Sequence, residues 1–114
     1  MNVYDHAYAL GKALQESSEL KQLADAVKSV GADPDARRML EEFQQQQQEL
    51  QESYTDGELP SDEEMQSIQE KYEEINQNAL IAALFQAEQR AQVMMQDIQR
   101  IVSESFEQAV GMKD

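Results

Sequence analysis

The sequence predicts an all-α protein: a long-helix bundle with an antiparallel helical hairpin, oligomeric through its long C-terminal helix. Glu, Gln, Ala and Leu dominate the 114 residues, and only two prolines and four glycines interrupt them, which is typical of long helices. Apolar residues recur at spacings of three and four, the period of an α-helix. No proline or glycine occurs between residues 62 and 110. The length fits a single helical domain over residues 1–114.

Residues that typically cap helices mark where the first three helices begin. Asn2 is a suitable cap for a first helix, and Ser17 or Ser18 for a second. Residues 3–30 therefore form either two helices or one helix with a kink. Gly31 is a stop signal, and Asp33 followed by a proline at the first helical position predicts the start of a third helix.

The predicted third helix carries a narrow apolar seam of coiled-coil type. Its members, at spacings of 4, 3, 4, 3 and 4, are Ala36, Leu40, Phe43, Gln47, Leu50 and Tyr54. Five consecutive glutamines, residues 44–48, lie in register with this seam and are therefore predicted to be helical rather than disordered. A loop is expected over residues 55–60, and Ser61 with Glu64 predicts a capping box for the next helix.

Two heptad-like seams follow, and they are out of phase. The first comprises Met65, Ile68, Tyr72, Ile75, Ala79 and Ala82, and the second Leu84, Ala87, Ala91, Met94, Ile98, Ile101 and Ser105. The shift falls within residues 79–85, which are all apolar. An unbroken helix would be roughly 70 Å long, whereas a compact domain of this size has a radius of gyration of about 13 Å. Either the helix breaks near residues 76–78, or its far half packs against a second subunit.

In both cases the apolar segment is contacted from more than one side, because a helix that is apolar on all faces must be buried. We therefore predict an oligomer interface here, in a homodimer or a tetramer. The predicted interface residues are Ala79, Leu80, Ile81, Ala82, Leu84, Phe85, Glu88 and Ala91.

The net charge of −14 is spread evenly, with −7 in residues 1–60 and −7 in residues 61–114. Because no basic patch exists, direct binding to nucleic acid or to an anionic membrane is disfavoured. Seven apolar residues are too few to cross a bilayer, which needs about 20. The N-terminus lacks the basic start and apolar run of a signal peptide. We expect an acidic cytoplasmic protein.

No catalytic, cofactor or metal site is predicted. The chain has no cysteine, which excludes thiolate ligands and nucleophiles. His6 is the only histidine, and no partners stand at the spacing of a catalytic triad or a metal site. The carboxylates lie mostly off the seams, which favours a solvated helix face over an acid–base pair. Glu88 neighbours the apolar stripe and is the candidate for a buried carboxylate at a subunit junction.

Segments in a distinctive order carry a family resemblance. They are NVYDHAYALGKALQESSEL at the start, ADPDARRMLEEFQQQQ in the middle, and NALIAALFQAEQR followed by DIQRI near the end. The chain resembles the YheA/YmcA/YlbF-like family of small helical proteins of Gram-positive bacteria, most closely its YheA branch. The resemblance implies an all-helical, oligomeric, cytoplasmic protein without known enzymatic activity.

The resemblance also implies a link to regulation. Relatives of the YmcA and YlbF type are associated with a complex that influences RNA processing by an endoribonuclease. Iron–sulfur clusters held by cysteines are linked to that complex and are not carried over, since this chain has no cysteine. We predict a non-enzymatic, self-associating helical protein that acts through protein–protein interaction. The alternatives are a regulatory adaptor of an endoribonuclease complex and a small enzyme with a carboxylate at the subunit junction.

Overall fold

The computed structural model describes residues 2–54, 57 and 59–112. Within those residues it contains five α-helices and no β-strand, which confirms the predicted all-α fold. The helices are α1 (Val3–Glu16), α2 (Ser18–Ala32), α3 (Pro34–Ser53), α4 (Asp62–Ile75) and α5 (Ala79–Val110). Of the loop predicted over residues 55–60, Thr55, Asp56 and Glu58 lie outside the described residues.

The chain divides into two compact units. We call them the terminal unit, which comprises Met1–Leu23 and Gln86–Asp114, and the central unit, which comprises Ala24–Phe85. Helices α2 and α5 contribute residues to both units.

Side-chain caps begin the first two helices. The Asn2 Oδ1 atom accepts a hydrogen bond from the backbone N–H of Asp5 at 2.9 Å, and the Asp5 carboxylate accepts one in return at 3.4 Å. Ser17 adopts an extended backbone with ψ 146°, so α1 and α2 are two helices rather than one kinked helix. The Ser17 hydroxyl then accepts a hydrogen bond from the N–H of Leu20 at 3.3 Å, which caps α2.

The predicted start of the third helix is confirmed. Helix α2 runs one residue past Gly31, and the carboxylate of Asp33 accepts a hydrogen bond from the N–H of Ala36 at 2.9 Å. Pro34 occupies the first turn of α3, where its missing N–H costs no intrahelical hydrogen bond.

The apolar seam predicted for the third helix is shielded from solvent. Ala36 is fully buried, and the other five members are half-buried: Leu40, Phe43, Gln47, Leu50 and Tyr54. Among the five glutamines of residues 44–48, only Gln47 is partly shielded, and all five are helical. The register predicted for the glutamine tract is therefore correct.

Three aromatic rings hold α3, α4 and the start of α5 together in the central unit. The ring centroid of Phe43 lies 6.2 Å from that of Tyr72 and 6.1 Å from that of Phe85. Tyr72 and Phe85 stack with an angle of 6° between their planes and 5.7 Å between their centroids. The buried apolar side chains of the central unit are Val30, Ala36, Ile75, Ile81 and Leu84.

The long C-terminal helical stretch is broken. Helix α4 ends at Ile75 and α5 begins at Ala79. Between them, the Asn78 Oδ1 atom accepts hydrogen bonds from the N–H groups of Leu80 at 3.0 Å and Ile81 at 3.2 Å. The sequence left open whether the helix breaks near residues 76–78 or continues, and the structure shows the break.

A hydrogen-bonded contact joins the end of α3 to the start of α4. The Tyr54 hydroxyl donates a hydrogen bond to the Glu64 carboxylate, and the Ser61 hydroxyl accepts one from the Glu64 N–H at 3.2 Å. The bonds from Tyr54 and Ser61 lower the pKa of Glu64. The same bond to Glu64, together with desolvation and the carboxylate charge, raises the pKa of Tyr54.

We predict that Asn78→Ala lowers the free energy of unfolding by about 1 kcal/mol, because two N–H groups at the start of α5 lose their acceptor. Urea denaturation followed by circular dichroism measures this change. Asn78→Asp should retain most of the stability, and Gln77→Ala, at a neighbouring exposed position, is the matched control. Equal stability of the two alanine variants would contradict the assigned cap.

We predict that Ile81→Ala lowers the free energy of unfolding by about 3 kcal/mol, because it removes three carbon atoms from a fully buried site. Met65→Ala, at a position that is more than half exposed on α4, is the control and should change it by well under 1 kcal/mol. Similar losses in the two variants would show that Ile81 does not lie in a packed core.

We predict that Tyr54→Phe is destabilising at neutral pH and that the difference from wild type shrinks in acid. The folded-state pKa of Glu64 lies below its unfolded value of about 4.3. Its contribution to stability is therefore present above that value and is lost as pH falls through the folded pKa. Conversely, the contribution from the raised pKa of Tyr54 is lost only as pH rises through the folded pKa of the phenol.

Urea denaturation at several pH values and an NMR titration of the Glu64 carboxyl carbon measure these effects. The Glu64 midpoint should rise in Tyr54→Phe and stay constant in Tyr8→Phe, a control at an exposed tyrosine. An unmoved midpoint in Tyr54→Phe would mean that the hydroxyl does not bind the carboxylate.

Candidate interaction surface

The single chain already covers part of the interface predicted from sequence. Three of the predicted residues are buried, namely Ile81, Leu84 and Ala91. Three are half-buried, namely Leu80, Ala82 and Phe85, and two are exposed, namely Ala79 and Glu88. A contact with a second copy here stays a prediction, and in this conformation it would use the half-buried and exposed members.

Helix α1 leaves its apolar side chains uncovered. No residue of α1 is buried, and the exposed fractions of Val3, Tyr4 and Tyr8 are 81%, 75% and 79%. Val3, Ala7, Leu10 and Leu14 recur at spacings of 4, 3 and 4 and form the apolar stripe of α1, which is shielded only towards its end, where Leu14 is half-buried. We call the exposed side formed by Val3, Tyr4, Ala7 and Tyr8 the α1 face.

The C-terminal part of α5 is also uncovered. Ile101, Val102, Phe106 and Val110 are each more than half exposed, and we call them the α5 face. Earlier in the same helix, Ala87 and Ala91 are buried, and Met94 and Ile98 are half-buried. The second predicted seam is therefore covered at its start and open from residue 101 onward. Exposed apolar patches of this kind mark interaction sites in soluble proteins.

The two faces were only partly visible in the sequence. Tyr4 and Tyr8 lie one helical turn apart, but spacing alone does not distinguish a core position from an oligomer interface. A stronger signal lay in α5, where Ile101 and Val102 are adjacent and Phe106 and Val110 follow one and two turns later. Two apolar rows side by side are wider than a seam with one partner helix requires.

An open groove runs along α5 within the terminal unit. Its lining includes Glu19 of α2 together with Arg90, Val93 and Met94 of α5. The Arg90 guanidinium donates a hydrogen bond to the Gln22 side chain at 3.1 Å, which ties the start of α2 to α5. Small-molecule sites bury most of their ligand's surface, and this groove is too open to do so.

The structure also locates the side chains considered for chemistry. His6 is exposed in the first turn of α1, and Glu88 is exposed on α5. Glu88 therefore lacks the apolar enclosure that surrounds a catalytic acid. Residues 2–54, 57 and 59–112 contain no group of three or more His, Asp or Glu side chains arranged to hold a metal ion. Across the same part of the chain, no helix combines the length and apolar character needed to span a bilayer.

Comparison with known proteins identifies relatives along nearly the whole chain. A UPF0342 protein of Shouchella clausii is 39% identical over 110 residues, covering 96% of this chain and 93% of the relative. A UPF0342 protein of Alkalihalophilus pseudofirmus is 40% identical over the same length and coverage.

Solved structures share the fold. A protein of unknown function (DUF964) from Bacillus stearothermophilus matches with a TM-score of 0.80 and 26% identity, over 92% of each chain. The structure of yheA from Bacillus subtilis matches with a TM-score of 0.69 and 28% identity, over 96% of this chain and 99% of that one. These relatives confirm the resemblance found in the sequence.

The family model described as "Control of competence regulator ComK, YlbF/YmcA" matches residues 3–107. With relatives above 30% identity over more than nine-tenths of its length, this chain belongs to that YlbF/YmcA family.

Proposed function

We propose that the protein is a non-catalytic, self-associating helical protein of the cytoplasm that acts by binding other proteins. The observation that carries the proposal is the exposure of the α1 and α5 faces in the terminal unit. In a chain with a net charge of −14, such apolar surface is costly to leave in water, and covering it would favour association.

The exposed rings supply a substantial driving force. Tyr4, Tyr8 and Phe106 are 75%, 79% and 63% exposed. Since each aromatic side chain buries roughly 150–250 Å², covering all three would remove about 400 Å² from water. At roughly 25 cal/mol per Å² this is about 10 kcal/mol, which is similar to the cost of bringing two proteins together. The aliphatic residues of both faces then contribute the surplus that stabilises a complex.

A second candidate function is that of a regulatory adaptor whose partners belong to an RNA-processing endoribonuclease complex. The description of the matched family names control of a competence regulator, which supports a regulatory role. The link to an endoribonuclease complex comes from the family resemblance alone. The acidic charge disfavours direct RNA binding, so the adaptor would contact the protein components. Affinity purification from the native host, with quantitative mass spectrometry, would recover endoribonuclease subunits if this candidate is correct and none above background if it is wrong.

We predict that the wild-type protein sediments with a mass above the 13.0 kDa of one chain at micromolar concentration. Phe106→Glu should weaken self-association by about tenfold or more, since a charge replaces an exposed apolar ring. Met65→Glu, at a similarly exposed position on α4, is the matched control and should leave the mass unchanged. Analytical ultracentrifugation over a concentration series measures all three. A wild-type protein of 13.0 kDa throughout would refute self-association.

A further inference from the structure

We infer that α1 of one copy packs against the C-terminal part of α5 of a second copy, and that the reciprocal contact forms at the same time. The inference rests on the self-association proposed above and specifies which faces meet. Both elements belong to the terminal unit. A two-fold dimer brings the same pair of surfaces together twice, so each chain supplies one helix and one receiving face.

Helix α1 needs a partner that its own chain does not provide. It has 14 residues, and none of them is buried. Isolated helices of fewer than about 12–15 residues are marginal in water, and most helices in proteins gain their stability by packing an apolar face. Because the apolar stripe of α1 begins with Val3 and its shielding begins only near Gly11, the partner must cover the first two turns.

Charged side chains lie at the edges of both faces rather than among their apolar members. With 3.6 residues per turn, Asp5 and Lys12 lie within one turn of Tyr8, at one edge of the α1 face. On α5, Glu104 lies within one turn of Ile101, and Arg100 and Glu107 project away from Val102. Like charges placed opposite one another at an interface oppose association. A second copy of a chain with net charge −14 can therefore approach through these apolar faces. A basic partner would instead bind more strongly to an acidic face.

The two faces also complement each other in side-chain size. On α1, Tyr4 and Tyr8 project beside Gly11, and a Cβ atom added to this glycine would meet no atom within 4 Å. On α5, Phe106 follows the small Ser105 in the chain and lies within one turn of Ala109. Large side chains of each helix can thus enter the space beside small residues of the other, which allows α1 and α5 to pack closely.

The available area matches that of a stable dimer. The large apolar residues that are more than half exposed are Val3, Tyr4 and Tyr8 on α1 and Ile101, Val102, Phe106 and Val110 on α5. With roughly 200 Å² for each aromatic and somewhat less for each aliphatic side chain, they offer on the order of 900 Å² per copy. A standard interface buries about 800 Å² per partner, so the two faces suffice without the segment of residues 79–91.

A complementation experiment tests the arrangement. Tyr8→Lys damages the α1 face and Phe106→Glu damages the α5 face, so each variant alone should dimerise at least about tenfold more weakly than wild type. In a mixed dimer of the two variants, both changes fall in one contact, and the other contact is wild type. An equimolar mixture should therefore contain more dimer than either variant alone at the same total concentration, as measured by analytical ultracentrifugation.

The matched control mixes Tyr4→Lys with Tyr8→Lys, which both lie on α1, so every contact stays damaged and no recovery is expected. Circular dichroism of each variant shows that its helices are retained. If the wild type dimerises but the Tyr8→Lys and Phe106→Glu mixture shows no more recovery than the control, or neither variant weakens the dimer, the α1–α5 contact is wrong while self-association stands. A wild type that stays monomeric would instead remove the proposed function on which the inference rests.

Discussion

The central unit depends on the interruption between α4 and α5. The Asn78 side chain accepts hydrogen bonds from the N–H groups of Leu80 and Ile81 at 3.0 and 3.2 Å, so a new helix begins with only three residues between it and the end of α4. Without that change of direction, Tyr72 of α4 and Phe85 of α5 would lie 13 positions apart on one rod, about 20 Å from each other. The break instead lets the two rings stack at 5.7 Å and meet Phe43 of α3.

Local chemistry made much of this architecture predictable from sequence. The caps at Asn2, Asp33 and Ser61 depend on a side chain and the N–H groups within three residues of it, so they need no information about distant parts of the chain. The seam of α3 was predictable for a similar reason, because helical periodicity determines which side chains share a face.

What covers a given face was not predictable, since that depends on helices distant in sequence. Ile81 and Phe106 are both large apolar residues in the same helix, yet one is fully buried and the other is 63% exposed. The all-round apolar character of residues 79–85 indicated a junction of packing surfaces. The exposed faces of α1 and of the C-terminal part of α5 became evident only once the burial of each side chain was known.

The uncovered state of α1 has a consequence for how the chain behaves in time. The first two turns of α1, whose side chains are all exposed, are held mainly by the hydrogen bonds of the helix and by the Asn2 cap, and such a segment frays at little cost. Its amide protons would exchange with solvent faster than those of α3, and its peptide bonds would be cut by a protease before those of α3. The proposed pairing of two copies would order these first turns, and it would therefore slow their cleavage only at protein concentrations high enough for two copies to associate.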